Sequence, residues 1–186
     1  MNRVFIDLET TGLNPDVHEI IECALVYDDD TPPYHRYVKA NRIHLADYKA
    51  LQINKYRERI HEWNQAISSE QLAFELAYLL KDKIIIGHNP FFDYSFIKEL
   101  FSHHGQSRPK NQLIDTKTLA HEHLYHIGLK RLSLDSIRTF FSWRSPHDHT
   151  ALKDALDCQR LYHKLKRASF IKRCFWRFKA KRKTIL

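Results

Sequence analysis

The run Ile84-Ile85-Ile86-Gly87 restricts the fold more than any other stretch of the chain. A strand that is apolar on every side chain must be covered on both faces, which requires helices on each side of the sheet. The neighbouring segments supply the remaining layers. Strand-like runs occupy residues 4–9, 19–27 and 34–39, closed by Thr10-Thr11-Gly12, Asp28-Asp29-Asp30 and, before the third, Pro32-Pro33. Their short connections favour antiparallel neighbours. A fifth short strand is expected at residues 112–115. Helical spacing dominates residues 70–80, 93–103, 116–125, 133–141 and 150–166, with Ser68 or Ser69 as the cap of the first. Three strands followed by strand–helix alternation predict an α/β domain with a five-stranded mixed sheet and flanking helices. Residues 41–65 look helical and polar but have no place in this scheme.

The chain has 186 residues, 43% hydrophobic and 28% charged, enough for one well-packed domain. No apolar run reaches the roughly 20 residues that span a bilayer. Met1-Asn2-Arg3-Val4 leads directly into a strand without the apolar core of a secretory leader, so a cytoplasmic or nucleoid-associated location is expected. Cys23, Cys158 and Cys174 are far apart and lack zinc-site spacing, which points to a reducing compartment. With four glycines and no GxGxxG or GxxxxGK[ST], glycine-rich phosphate cradles are excluded. The net charge of +8 is unevenly spread. From Arg160 onward there are 11 basic residues and no acids, leaving 19 basic and 22 acidic residues elsewhere, a net of −3. A basic appendage on a mildly acidic body suits a polyanionic partner.

Asp7 and Glu9 are the first candidates for chemistry. Residues i and i+2 of a strand share a face, so both carboxylates project together from an otherwise apolar segment. Such a pair needs solvent, a lysine or a divalent cation to relieve its repulsion. Two further acidic segments come later: His88-Asn89-Pro90-Phe91-Phe92-Asp93 after the apolar strand, and His149-Thr150-Ala151-Leu152-Lys153-Asp154 at the start of the last long helix.

Together with residues 5–13, Phe5-Ile6-Asp7-Leu8-Glu9-Thr10-Thr11-Gly12-Leu13, these segments resemble the three motifs of the DnaQ-like 3′→5′ exonucleases of the DEDDh type. Ile114-Asp115-Thr116 and Leu129-Lys130-Arg131-Leu132-Ser133-Leu134 are also similar to the family pattern, and the resemblance covers residues 3–165. It implies an RNase H-like fold and hydrolysis of nucleic acid, DNA or alternatively RNA, from the 3′ end to nucleoside 5′-monophosphates. It further implies two Mg²⁺ or Mn²⁺ ions about 3.5–4 Å apart, for which oxygen ligands are the appropriate donors. By resemblance Asp7 bridges both ions, Glu9 and Asp154 hold the one beside the attacking water, and Asp93 serves the second. His149, five residues before Asp154, accepts the water's proton. His147 does not match that spacing, and Thr150 stands where the tyrosine-type variant would place its tyrosine. Thr10, Thr11, Leu13 and Asn89 are the expected substrate-binding residues. The alternatives are turn formation for Thr11, core packing for Leu13 and helix capping for Asn89. The implied partner is a single-stranded 3′ end, with a polymerase or other protein as a possible companion. The rival readings are an RNA-processing exoribonuclease and a catalytically silent nuclease fold that only binds.

Several other residues read as structural. Asp115 is expected to cap a helix, Phe92 and Phe96 to pack in the core, His121-Glu122-His123 and His126 to lie on an exposed helix face, and Asp157 to be solvated. The exonuclease domain is placed at residues 1–168. The tail, 169–186, puts Phe170, Ile171, Cys174, Phe175 and Phe178 on one stripe of a basic amphipathic segment. That segment suits packing on the domain, a grip on nucleic acid, or a membrane surface or protein partner.

Overall fold

In the computed structural model the residues described are 2–143, 150–168 and Trp176. Five strands, β1 (Arg3–Thr10), β2 (Ile20–Tyr27), β3 (Tyr34–Tyr37), β4 (Ile84–Gly87) and β5 (Gln112–Asp115), form one mixed sheet in the order β3-β2-β1-β4-β5. β1 pairs antiparallel with β2 and parallel with β4, as the short and long connections require. The third strand ends at Tyr37, short of the expected residue 39. Val38 still donates its amide to the Ile21 carbonyl (2.9 Å) but forms an isolated bridge with Ile67.

Alternation along β1 decides which side chains meet which layer. Val4, Ile6 and Leu8 join Leu72, Leu76, Phe96, Ile97 and Leu100 beneath α2 (Ser69–Leu79) and α3 (Pro90–His103). Phe5 points the other way, with Ala24, Val26 and Ile86, toward α6 (Ala151–Lys166). Asp7 and Glu9 lie in register with Phe5 and therefore on the α6 side. That helix approaches the sheet through Ala151, Ala155 and Cys158, all buried, and these small side chains bring its backbone close to the strands. A satellite core ties α4 (Thr116–Leu124) and α5 (Leu134–Phe141) to α6 through Ala120, Leu124, Ile137, Phe140 and Leu161. Trp176 packs on the same cluster, with its ring 5.3 Å from that of Phe141. The tail residues singled out from the sequence lie outside the described residues.

Segment 41–65 proves to be a collar around the ends of β1 and β2. It holds two 3₁₀ turns (Ile43–Leu45 and Ile60–Gln65) and the six-residue α1 (Tyr48–Ile53). Its polar groups bond inward. Asn54 Nδ2 donates to the Thr10 carbonyl at 2.9 Å, the Asp47 amide to that of Thr11 at 2.8 Å, and the Trp63 indole to that of Ile21 at 2.8 Å. Such short pieces bury few apolar groups, which is why no helical periodicity marks them.

The collar also carries Arg59, whose Nη2 lies 3.3 Å from Oε2 of the fully buried Glu22. Glu22 Oε1 receives the amide of Ala151 (3.1 Å) and meets His35 Nε2 (2.9 Å). One carboxylate thus links the collar, β3 and the first residue of α6. Removing one side of a buried charged cluster strands the other and costs about 3–5 kcal/mol. Glu22→Ala is expected to lose about that much stability in urea unfolding. A variant within 0.5 kcal/mol of the parent, on the order of a surface substitution, would deny Glu22 this joining role.

Candidate active site

Each acid of the site reaches it by a different local device. Asp7 and Glu9 come from β1. Asp93 comes from α3, which begins at Pro90, three residues before the sequence-expected start, so Asp93 falls in its first turn. The early start follows from Asn89, which turns the chain in the left-handed conformation (φ 75°), and from Pro90, whose fixed φ suits the first helical position. Gly87 makes this turn possible, since a Cβ there would sit 2.9 Å from Cβ of Pro90. Asp93 Oδ1 accepts the Leu8 amide at 2.9 Å, fastening the helix to the strand between the two β1 acids. Asp154 stands on the first turn of α6, whose cap is the Thr150 side chain accepting from the Lys153 amide.

Asp7, Glu9 and Asp154 each offer an oxygen within 4.8 Å of the others. Burial comes first in raising the proton affinity of Asp7, Glu9 and Asp93, and at the two strand acids like charge adds to it. Asp7 is held well above the ordinary aspartate range by burial, then by Asp93, Asp154 and Glu9. Glu9 is raised to about 8 by burial and by Glu22, its cross-strand neighbour, against the opposing pull of Arg59. Asp93, buried, rises to about 7 against the Leu8 hydrogen bond. Among the described residues this donor set is all oxygen, carries several acidic groups in a small volume and contains no thiol or imidazole. It fits hard divalent cations such as Mg²⁺ or Mn²⁺.

Beside the acids opens a cleft of about 570 Å³ lined by Asp7, His88, Asn89, Lys117, Arg131, Leu132, Arg138 and Asp154. Asn89 sits on this wall. Its backbone amide donates to Asp115 Oδ1 (2.9 Å), and it occupies the N-cap position of α3, although its side chain makes no cap bond. Leu13 is 76% exposed and is not a core residue. The threonines turn inward. The Thr10 hydroxyl donates to the Gly12 carbonyl (2.7 Å), and the Thr11 hydroxyl accepts the Glu19 amide (2.9 Å). Both are buried, and these bonds shape the strand end. Asp115 caps α4, accepting from the Lys117 amide at 2.8 Å. His149 lies outside the described residues. His88, the histidine on the cleft wall, has Nε2 2.6 Å from the Leu132 carbonyl, and burial lowers its proton affinity.

Two functional neighbours escaped the sequence reading, and one was misjudged. Glu22 gave no signal because a lone acid in an apolar strand resembles an edge residue. Arg138 was unmarked on an amphipathic helix. Asp157, read as solvated, is buried, and Arg138 Nε meets it at 2.7 Å. The only clue was its spacing of three from Asp154, which does not reveal a partner on another helix.

Raised acids make metal-free stability depend on pH. An acid whose proton affinity is higher folded than unfolded contributes fully at low pH, and that contribution is lost as pH rises from the unfolded to the folded value. For Glu9 and Asp93 the window runs from roughly pH 4 to pH 8. In EDTA the melting temperature is expected to fall by several degrees between pH 5 and 8, and saturating Mg²⁺ should remove most of that fall. Parallel profiles with and without Mg²⁺ would exclude the acids as its site.

The comparisons with known proteins agree with this geometry. Residues 4–162 match the RNase_T family model, described as exonuclease. A PolC-type DNA polymerase III of Thermotoga maritima is 32% identical over 155 residues, covering 82% of this chain and 11% of that protein. The human apoptosis-enhancing nuclease is 24% identical over 164 residues, covering 86% of this chain and 48% of its own. The chain therefore spans about a tenth of its PolC-type relatives and half of the nuclease. Among solved structures, E. coli exonuclease I in complex with a dT13 oligonucleotide superposes with a TM-score of 0.73 at 17% identity, over 88% of this chain and 41% of that one. Another exonuclease I structure reaches 0.77 over 94% of this chain and 42% of its own, also at 17% identity. These share its fold. With the family model covering residues 4–162, which include Asp7, Glu9, Asp93 and Asp154, the chain belongs to the DnaQ-like 3′→5′ exonuclease family.

Proposed function

We propose that this domain hydrolyses single-stranded nucleic acid, DNA foremost, from its 3′ end with the help of two divalent cations. The observation that carries this reading is the convergence of Asp7, Glu9 and Asp154 within 4.8 Å, with Asp93 fastened to the same strand. These four residues would hold the ions, which when bound supply charge neutralisation at the scissile phosphate and acidify a water. The protein's own part is then to fix the acids, to orient the strand and to move a proton. His149, five residues ahead of Asp154, is the proposed acceptor of that proton. Leu13, exposed beyond the strand end, would pack against the terminal nucleoside, and Asn89 would bond near the phosphate. DNA is favoured because the PolC-type relatives are DNA polymerases and the exonuclease I neighbour is bound to dT13.

The test is degradation of 3′- and 5′-labelled single-stranded DNA, duplex DNA and RNA in Mg²⁺, Mn²⁺ or EDTA. Asp7→Ala is expected to abolish cleavage with the fold intact. His149→Ala should lose about 10²–10⁴-fold in rate while keeping the thermal shift that Mn²⁺ induces. Near-normal turnover of Asp7→Ala would defeat the metal assignment. An active His149→Ala beside a crippled His147→Ala would move the base.

Strand binding needs positive charge that a body of net −3 must concentrate locally. Lys117 and Arg131, both exposed on the cleft wall, are the proposed contacts nearest the acids, and the tail 169–186 is proposed to hold the strand farther out. Each phosphate contact removed from a single strand lowers the log–log salt slope by roughly 0.7. Lys117→Ala with Arg131→Ala should therefore flatten the slope for both short and long oligonucleotides, whereas deletion of 169–186 should flatten it only for long ones. Unchanged slopes in both variants would mean that neither surface grips the strand.

A further inference from the structure

Arg138 has its guanidinium on the same cleft wall as Asp7 and Asp154, at 8% exposure. Its three nitrogens each meet a different carboxylate: Nη2 lies 2.5 Å from Asp154 Oδ1, Nε 2.7 Å from Asp157 Oδ2 and Nη1 2.8 Å from Asp135 Oδ1. Asp135 is on its own helix, while Asp154 and Asp157 lie one turn apart on α6. A planar fork, whose Nε, Nη1 and Nη2 point in different directions, suits this arrangement. A tie between α5 and α6 would need only the Asp157 contact. The additional bond to Asp154 places the guanidinium's positive charge against one of the three carboxylates that cluster for a metal.

We infer that Arg138 is an internal counter-cation that competes with the divalent ion for Asp154 and so sets the metal affinity of the site. The inference rests on the metal-binding reading above. Without an ion, the guanidinium offsets part of the repulsion among Asp7, Glu9, Asp93 and Asp154 and holds Asp154 in one orientation. With an ion, a cation and the guanidinium share one carboxylate, and their mutual repulsion across a few ångströms weakens the ion's hold. Arg138 is thus a positioning residue for Asp154, and its removal should help the metal and harm the metal-free fold.

Arg138→Gln alone would leave Asp157 buried and unpaired, so the informative variant is Arg138→Gln with Asp157→Asn, with Asp157→Asn alone as the reference. Mn²⁺ binding is measured on the full chain by electron paramagnetic resonance, without substrate, alongside melting in EDTA and in Mn²⁺. The double variant should bind Mn²⁺ at least about tenfold more tightly than the parent, melt lower in EDTA and gain a larger shift from Mn²⁺. The single variant should keep parental affinity. If the double variant binds with parental affinity or more weakly, Arg138 is a structural tie or an organiser of the ligand set, and the inference fails. If the parent chain binds no Mn²⁺ at all, the metal reading fails first and this inference with it. The two failures are therefore distinguishable.

Discussion

Four carboxyl groups gathered at one end of a sheet repel one another in a medium that screens poorly, and the surrounding structure is arranged to tolerate this. Three neighbours share the task without touching one another. The Leu8 amide binds Asp93, Arg59 on the collar opposes the field at Glu9, and Arg138 meets Asp154. Each donor sits on a different element from the acid it meets. The site therefore forms only where β1, the collar, α3, α5 and α6 have all docked.

Glu22 shows how a further negative charge can serve that assembly. It lies opposite Glu9 across the antiparallel ladder and raises its proton affinity, yet its own oxygens face Arg59, His35 and the Ala151 amide. The amide belongs to the first turn of the helix that carries Asp154, where the helix dipole also favours a carboxylate. Repulsion at Glu9 is thereby exchanged for a fixed origin of α6. The small side chains of Ala151 and Ala155 let that origin lie close to β1.

What could be read in advance follows the range of the interactions. The strand acids were legible because period 2 puts Asp7 and Glu9 on one face. Asp93 and Asp154 were legible because they sit in ordered motifs. Helix extents came from local periodicity and failed only at α3, where a left-handed Asn89 and a proline in the first helical position extended the helix upstream. Arg138, Asp157, Glu22 and Arg59 were illegible for the opposite reason. Each is a single charged residue whose meaning depends on a partner 16 or more positions away, and no spacing rule links such pairs. The collar was missed likewise, because it is held by side-chain bonds to backbone carbonyls and not by an apolar stripe.

A ligand acid acts on the ions directly, so its loss is local. Glu22 and Arg59 act through the placement of α6 and through the field at Glu9, so a change there alters stability and ligand geometry together. Arg138 differs again, because it opposes the charge of the ion that the acids are arranged to hold. A site built only from acids would gain affinity with each added carboxylate and lose its metal-free fold in the same measure. A guanidinium on one ligand moderates both effects, keeping the unfilled cluster compact enough to persist and the filled one weak enough to exchange its ions.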